Sequence, residues 1–152
     1  MSRDAIEATL RALYAARQAG DCDAILRHLA PDATYAMMGD PGASPVAGRH
    51  QGEALCQAMT TLVTLFPARR LHLASIVIDG DRAAIEIEAR LAFGPTGEEF
   101  DTRWASLFTF RDGRIAEVRE FIDTARATQL LAAARPSDAT MQPNIATPRQ
   151  GG

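Results

Sequence analysis

Residues 104–123, Trp-Ala-Ser-Leu-Phe-Thr-Phe-Arg-Asp-Gly-Arg-Ile-Ala-Glu-Val-Arg-Glu-Phe-Ile-Asp, constrain the fold of this chain more than any other stretch. Apolar and polar residues alternate on both sides of Arg111-Asp112-Gly113, the pattern of a β-hairpin. The first arm presents Trp104, Ser106, Phe108 and Phe110 on one face. What the second arm adds to that face depends on the turn. A two-residue Asp-Gly turn adds Glu117, Arg119, Phe121 and Asp123. A three-residue Arg-Asp-Gly loop with a bulge adds Val118, Glu120 and Ile122. One residue of slip exchanges the two sets. The first would bury three charged groups together, at a cost of several kcal/mol unless each were paired. The second is apolar but for Glu120, so the expected face carries a single carboxyl on an apolar strip.

The remaining elements follow from caps and periodicity. Ser2 caps a first helix to about Ala19, with Ile6, Leu10, Leu13 and either Tyr14 or Arg17 on its buried stripe. Gly20 ends it, Asp21 caps a short second helix carrying Ile25, Leu26 and Leu29, and Pro31 stops that helix. Residues 34–38 form a short strand, and 39–48, with two prolines and three glycines, a loop. A third helix spans about 52–66, with Leu55, Met59, Leu62 and Phe66 on its apolar face. Strands follow at 71–78, 83–93, 99–110 and 114–123, then a short helix at 124–134. Residues 135–152 lack periodicity and read as a flexible tail, which leaves one domain at 1–134.

Gly94-Pro95-Thr96-Gly97 as a four-residue loop sets a second register. It pairs Leu91 with Phe100 and Ile87 with Trp104 on one face, and Arg90 with Asp101 and Glu88 with Arg103 on the other. Apolar residues meet apolar ones and opposite charges meet each other. Glu86 and Glu88 therefore belong to an outer, charged face. Helices followed by a long meander give an α+β fold. A bent sheet wrapped on helices leaves a cavity.

Bulk properties exclude several functions. The net charge is −3 and no basic run exists, although the chain holds 16 basic residues, all Arg, so nucleic acid is not an expected partner. No apolar run reaches membrane-spanning length. Met-Ser-Arg-Asp leads directly into an amphipathic helix, so no signal peptide is expected and the location reads as cytoplasmic. Cys22 and Cys56 show neither metal spacing nor a CxxC motif; Cys56, among helical apolar positions, reads as core. His28, His50 and His72 form no metal spacing either, so neither metal nor cofactor is expected. His72, between Leu71 and Leu73, should face outward.

The run Phe-x-Phe-x-Asp-Gly-Arg-Ile-x-Glu-x-Arg-Glu-Phe-x-Asp, with Gly20-Asp21 and Ala30-Pro31-Asp32-Ala33-Thr34, resembles the nuclear transport factor 2-like superfamily over about residues 3–131. The nearest flavour is the SnoaL-like group, related to ketosteroid isomerases, limonene epoxide hydrolases and polyketide cyclases. The resemblance implies a cone-shaped, curved, mixed but largely antiparallel sheet around three N-terminal helices, enclosing a pocket. It also implies a homodimer, expected through the outer sheet face. Ketosteroid isomerases use a Tyr on the first helix, an Asp after the first strand and a protonated Asp on the next-to-last strand. Counting from the shared motifs places Leu13, Met37 and Ser106 there, which argues against that isomerisation. Against limonene epoxide hydrolases, Tyr35 matches their Tyr, Met37 replaces their Asn, and Glu120 falls at one Asp. Their Arg and second Asp fall at Ile87 and Ala89, or at Glu86 and Glu88 with a one-residue gap. SnoaL-like cyclases keep an acid near the end of the last strand, which Glu120 matches; their partner His corresponds to Ser106.

The expected site therefore has Glu120 as acid/base, with Tyr35 and Ser106 as polar helpers. Leu13, Met37, Leu55, Met59, Ile87, Trp104, Val118, Ile122 and Asp123 are expected to line the pocket. Its ligand would be a small, hydrophobic, oxygen-bearing molecule. Cofactor-free isomerase, lyase or hydrolase chemistry, binding without catalysis, and a dimeric interaction module with a vestigial pocket are the three functions this supports.

Overall fold

Ser2 begins the chain's first helix as its position suggests, its Oγ accepting the Ala5 N–H at 3.2 Å. In the computed structural model, which describes residues 1–134, helix α1 spans Arg3–Ala19 and α2 spans Cys22–Arg27. Gly20, at φ 72°, supplies the left-handed turn between them. Strands β1 (Leu29–Met38) and β2 (Gly48–Gln51) precede α3 (Glu53–Leu65). Strands β3 (Ala68–Asp79), β4 (Arg82–Ala92), β5 (Glu99–Arg111) and β6 (Arg114–Phe121) follow, and α4 (Thr124–Ala134) closes the described chain. The expected tail at 135–152 lies outside the described residues.

The six strands form one sheet in the order β2-β1-β6-β5-β4-β3. Every neighbouring pair is antiparallel except β1 with β6, which run parallel. The fold is thus α+β with a mixed sheet, as expected. One sheet face is buried: Ala83, Ile85, Ile87, Ala89 and Leu91 on β4, and Trp104, Ser106, Phe108 and Phe110 on β5. Ile6, Leu10 and Leu13 of α1 join the same apolar core. The other face carries Arg90 paired with Glu99 and Asp101, and Arg103 paired with Glu88. The β4–β5 register agrees with expectation at each of the pairs derived from the four-residue loop.

The β5–β6 hairpin reaches the expected register by a different device. Its turn has two residues, Asp112 (φ 52°) and Gly113 (φ 77°), both left-handed, between paired Arg111 and Arg114. The extra residue enters one step later: Phe110 opposes Ile115 while Thr109 opposes Glu117, leaving Ala116 as the bulge. Beyond it Val118 faces Phe108 and Glu120 faces Ser106. The direct cross-strand partner of Glu120 is thus Ser106 and not Trp104.

Three further expectations need correction. Strand β1 begins at Leu29, through Pro31, because a register shift between Leu29 and Thr34 absorbs the residue that has no N–H to donate. Strand β2 lies between the expected loop and the third helix, where no element was expected; it is a polar edge strand without apolar alternation, which is why the sequence conceals it. Cys56 is exposed, since α3 turns Leu55, Ala58 and Met59 inward. His72 faces outward as expected.

Gly94 ties the β4–β5 loop to the end of α3. Its N–H donates to the Leu65 carbonyl at 2.8 Å, and a Cβ there would stand 2.5 Å from the Thr64 carbonyl oxygen. That approach brings Phe66 within 5.6 Å of Phe93 and 6.3 Å of Phe100, ring centre to ring centre.

Candidate functional site

Between the helices and the buried sheet face lies a cavity of about 100 Å³, room for several waters or a small organic group. Its wall includes Tyr35, Glu120, Leu13, Met37, Met59, Trp104, Val118, Ile122 and Asp123 from the expected set. Three expected residues are not part of the wall. Leu55 is buried on α3, and Ile87 fills the core beside its cross-strand partner Trp104. Ser106 is fully buried and does not line the cavity. The wall ends at exposed Asp123 and half-buried Arg126, which places the mouth beside the first turn of α4. Asp123 caps that helix, its Oδ1 accepting the Arg126 N–H at 3.0 Å.

Four polar wall residues were not assigned to the site from sequence: Tyr14, Arg17, Thr102 and Arg126. Helical spacing puts Leu10, Leu13, Tyr14 and Arg17 on one stripe, and the structure buries both Tyr14 and Arg17 rather than one of them. Counting from Gly20 had placed Leu13 at the first-helix position; the phenol in the cavity belongs to the next residue.

Away from the mouth, the polar wall gathers at a buried end, where side chains from α1, β1, β5 and β6 meet. Tyr14 donates its hydroxyl proton to Ser106 Oγ at 3.2 Å. Ser106 lies directly across the β5–β6 pair from Glu120 and favours the charged form of its carboxyl. Arg17 donates from Nη2 to the Phe66 carbonyl at 2.5 Å. Three buried donors are left over. Arg17 Nη1, the Tyr35 hydroxyl and Trp104 Nε1 have no hydrogen-bond partner among the described residues. Tyr35 adjoins Glu120 and favours its charged form without closing a hydrogen bond to it. The Tyr35 ring is held from behind by His50, stacked at 6.3 Å, whose Nε2 lies 2.9 Å from the Val46 carbonyl.

Burial dominates the electrostatics. It raises the Glu120 pKa above the ordinary carboxylate value, against the opposing pull of Tyr35, Arg17 and Ser106. It raises both phenols, Tyr14 and Tyr35, with the nearby Glu120 carboxylate adding to the rise. It lowers the Arg17 guanidinium, which Glu120 and Tyr35 partly restore. Protein surrounds the Glu120 carboxyl, yet its side chain keeps partial contact with the cavity space. A buried carboxyl whose pKa is raised, beside unsatisfied donors, is suited to take up and release a proton. No cluster of three metal-ligating side chains exists among the described residues. No described helix is long and apolar enough to cross a membrane.

Comparison with known proteins matches residues 10–118 to the sequence model of the SnoaL-like domain. No curated protein matches the chain significantly. Among solved structures, an NTF2-like protein from Burkholderia xenovorans LB400 is 26% identical, with a TM-score of 0.66 over 84% of this chain and 98% of that one. TerC, crystallised with polyporic acid, is 21% identical, with a TM-score of 0.73 over 84% and 98% of the two chains. A provisionally assigned isomerase from Rhodopseudomonas palustris is also 21% identical, with a TM-score of 0.73 over 88% and 99%. In all, 340 solved chains share the architecture, so these likenesses speak to the fold and leave the reaction to the site itself.

Proposed function

The chain belongs to the SnoaL-like domain family, and on that premise we propose that its cavity binds a small, largely apolar, oxygen-bearing molecule and performs cofactor-free acid/base chemistry on it. Glu120 is the proton-transfer group. As carboxylate it takes a proton from the bound compound or from a water. As carboxylic acid it returns one, in an isomerisation, elimination or hydrolysis. Tyr35 holds a substrate oxygen with the hydroxyl proton that no described residue accepts. Ser106, sealed behind the wall, is a positioning residue: it joins Tyr14 to Glu120 and touches no ligand.

One observation carries this reading: a buried carboxyl with a raised pKa shares the end of an apolar cavity with three buried donors that have no partner. Native mass spectrometry of the purified protein would identify a retained ligand, and its turnover by wild type and Glu120→Gln would follow. Equal turnover by the two proteins would refute the role of Glu120. A ligand that binds and is never turned over would support the second reading, a non-catalytic binder. Ser106 favours that second reading, because the polar group at the position matching the cyclases' His is out of a ligand's reach. A homodimer through the outer sheet face remains part of the proposal, checked by sedimentation.

A further inference from the structure

The reading of the cavity as a ligand site leaves open what chemical group occupies its polar end, and the partners of Arg17 narrow that choice. Arg17 is 8% exposed and spends one nitrogen on the Phe66 carbonyl, a neutral acceptor. The ion pairs among the described residues include neither Arg17 nor Glu120. The two groups influence each other through space, but no direct contact closes between them. A guanidinium stays protonated in proteins, and an unpaired buried charge is costly. Arg17 lines the cavity, and its Nη1 is buried with no partner among the described residues. Trp104 Nε1 is a second donor with no partner on the same wall, and both residues adjoin Tyr14. The cation at the mouth is already engaged: Arg126 lies 3.4 Å from Glu98 and 5.4 Å from the centre of the Phe100 ring.

Resting on the ligand-site reading, we infer that the cavity takes a carboxylic acid, its carboxylate seated at the buried end on Arg17 Nη1 and Trp104 Nε1 and its apolar body along the wall toward α4. Arg17 supplies the charge. Trp104 supplies a neutral donor that fixes direction, and Tyr35 is left for a second oxygen near Glu120. A neutral amide of the same shape brings its own N–H groups into a site that already has donors in excess, so it leaves Arg17 without a counter-charge.

Matched pairs test this by calorimetry on the full-length protein: benzoate with benzamide, 3-phenylpropanoate with 3-phenylpropanamide, and octanoate with octanamide. The acid of each binding pair should bind at least tenfold more tightly than its amide. Arg17→Gln should abolish the preference and Arg17→Lys should retain part of it. Trp104→Phe should weaken the acid severalfold and leave the amide unchanged. The wild-type comparison stands alone if Arg17→Gln loses its hold on Phe66 and does not fold. Amides binding as tightly as acids would overturn the inference and leave the ligand cavity intact. Failure of every compound to bind folded protein would overturn the ligand-site reading beneath it.

Discussion

Tyr35→Phe should make this protein more stable and less functional at once. The Tyr35 hydroxyl is buried and has no hydrogen-bond partner among the described residues. Leaving a hydroxyl in that state costs about 1–3 kcal/mol by protein mutational measures. The phenyl ring keeps its packing, including the stacking on His50 at 6.3 Å, so little is lost in exchange. The expected gain is about 1 kcal/mol, or roughly 4 °C in melting temperature for a domain of this size. The gain should depend on pH with a definite sign. Tyr35 favours the charged form of Glu120, so removing it is most stabilising where Glu120 is protonated and less so where it is ionised. Urea denaturation at pH 4.5 and pH 8.5 measures both values, and ligand affinity or turnover should fall in the same variant. A loss of more than about 1 kcal/mol at both pH values would mean that the hydroxyl has a strong partner, and the account of the polar end would be wrong.

Glu120→Gln should be increasingly favourable as pH rises. The folded pKa of Glu120 lies above the unfolded one, so its stability contribution is complete below the unfolded value of about 4.3 and is lost as pH climbs through the folded value. The melting-temperature difference, variant minus wild type, should therefore grow from pH 4 to pH 8; a difference that shrinks refutes the raised pKa. Ser106→Ala leaves the Tyr14 hydroxyl buried without its acceptor and should cost about 1–3 kcal/mol in chemical denaturation; no measurable cost would refute the Tyr14–Ser106 bond. Gly94→Ala places a methyl 2.5 Å from the Thr64 carbonyl oxygen, with an expected loss of about 1–3 kcal/mol from overpacking. An unchanged urea midpoint would show that the α3–loop contact yields freely.

The sheet was legible wherever two independent patterns agreed. The four-residue loop and the opposite charges of Arg90 with Asp101 and Glu88 with Arg103 give the same register, and the structure has it. At the last hairpin burial cost chose the right face, while the turn itself was misplaced. A bulge one step beyond a two-residue turn gives the same downstream register as a three-residue loop, and only the backbone distinguishes them. Strand β2 was hidden because an edge strand of polar residues owes its existence to hydrogen bonds with β1 and not to burial. The site was half legible. Glu120 stands out as an acid on an apolar strip, whereas the helical stripe leaves Tyr14 and Arg17 as alternatives, and only a tertiary neighbour, the Phe66 carbonyl, explains why the guanidinium is inside as well. Leu13 and Tyr14 differ by one residue of counting and about 100° of helix rotation. Which donors lack partners is a property of the assembled structure, and no local pattern carries it.

The parallel pairing of β1 with β6 has a practical consequence. It joins the first strand to the last, and the Tyr14–Ser106 bond alone spans 92 positions of chain. No fragment ending before β6 can contain the polar end, and contacts of such separation are formed late and non-locally in folding. Occupancy of the cavity is therefore thermodynamically tied to the integrity of the whole domain. A compound present at 100 times its dissociation constant should add about 2.7 kcal/mol to global stability. Melting-temperature screening of chemically diverse libraries thus tests the cavity for a ligand with no assay for a reaction.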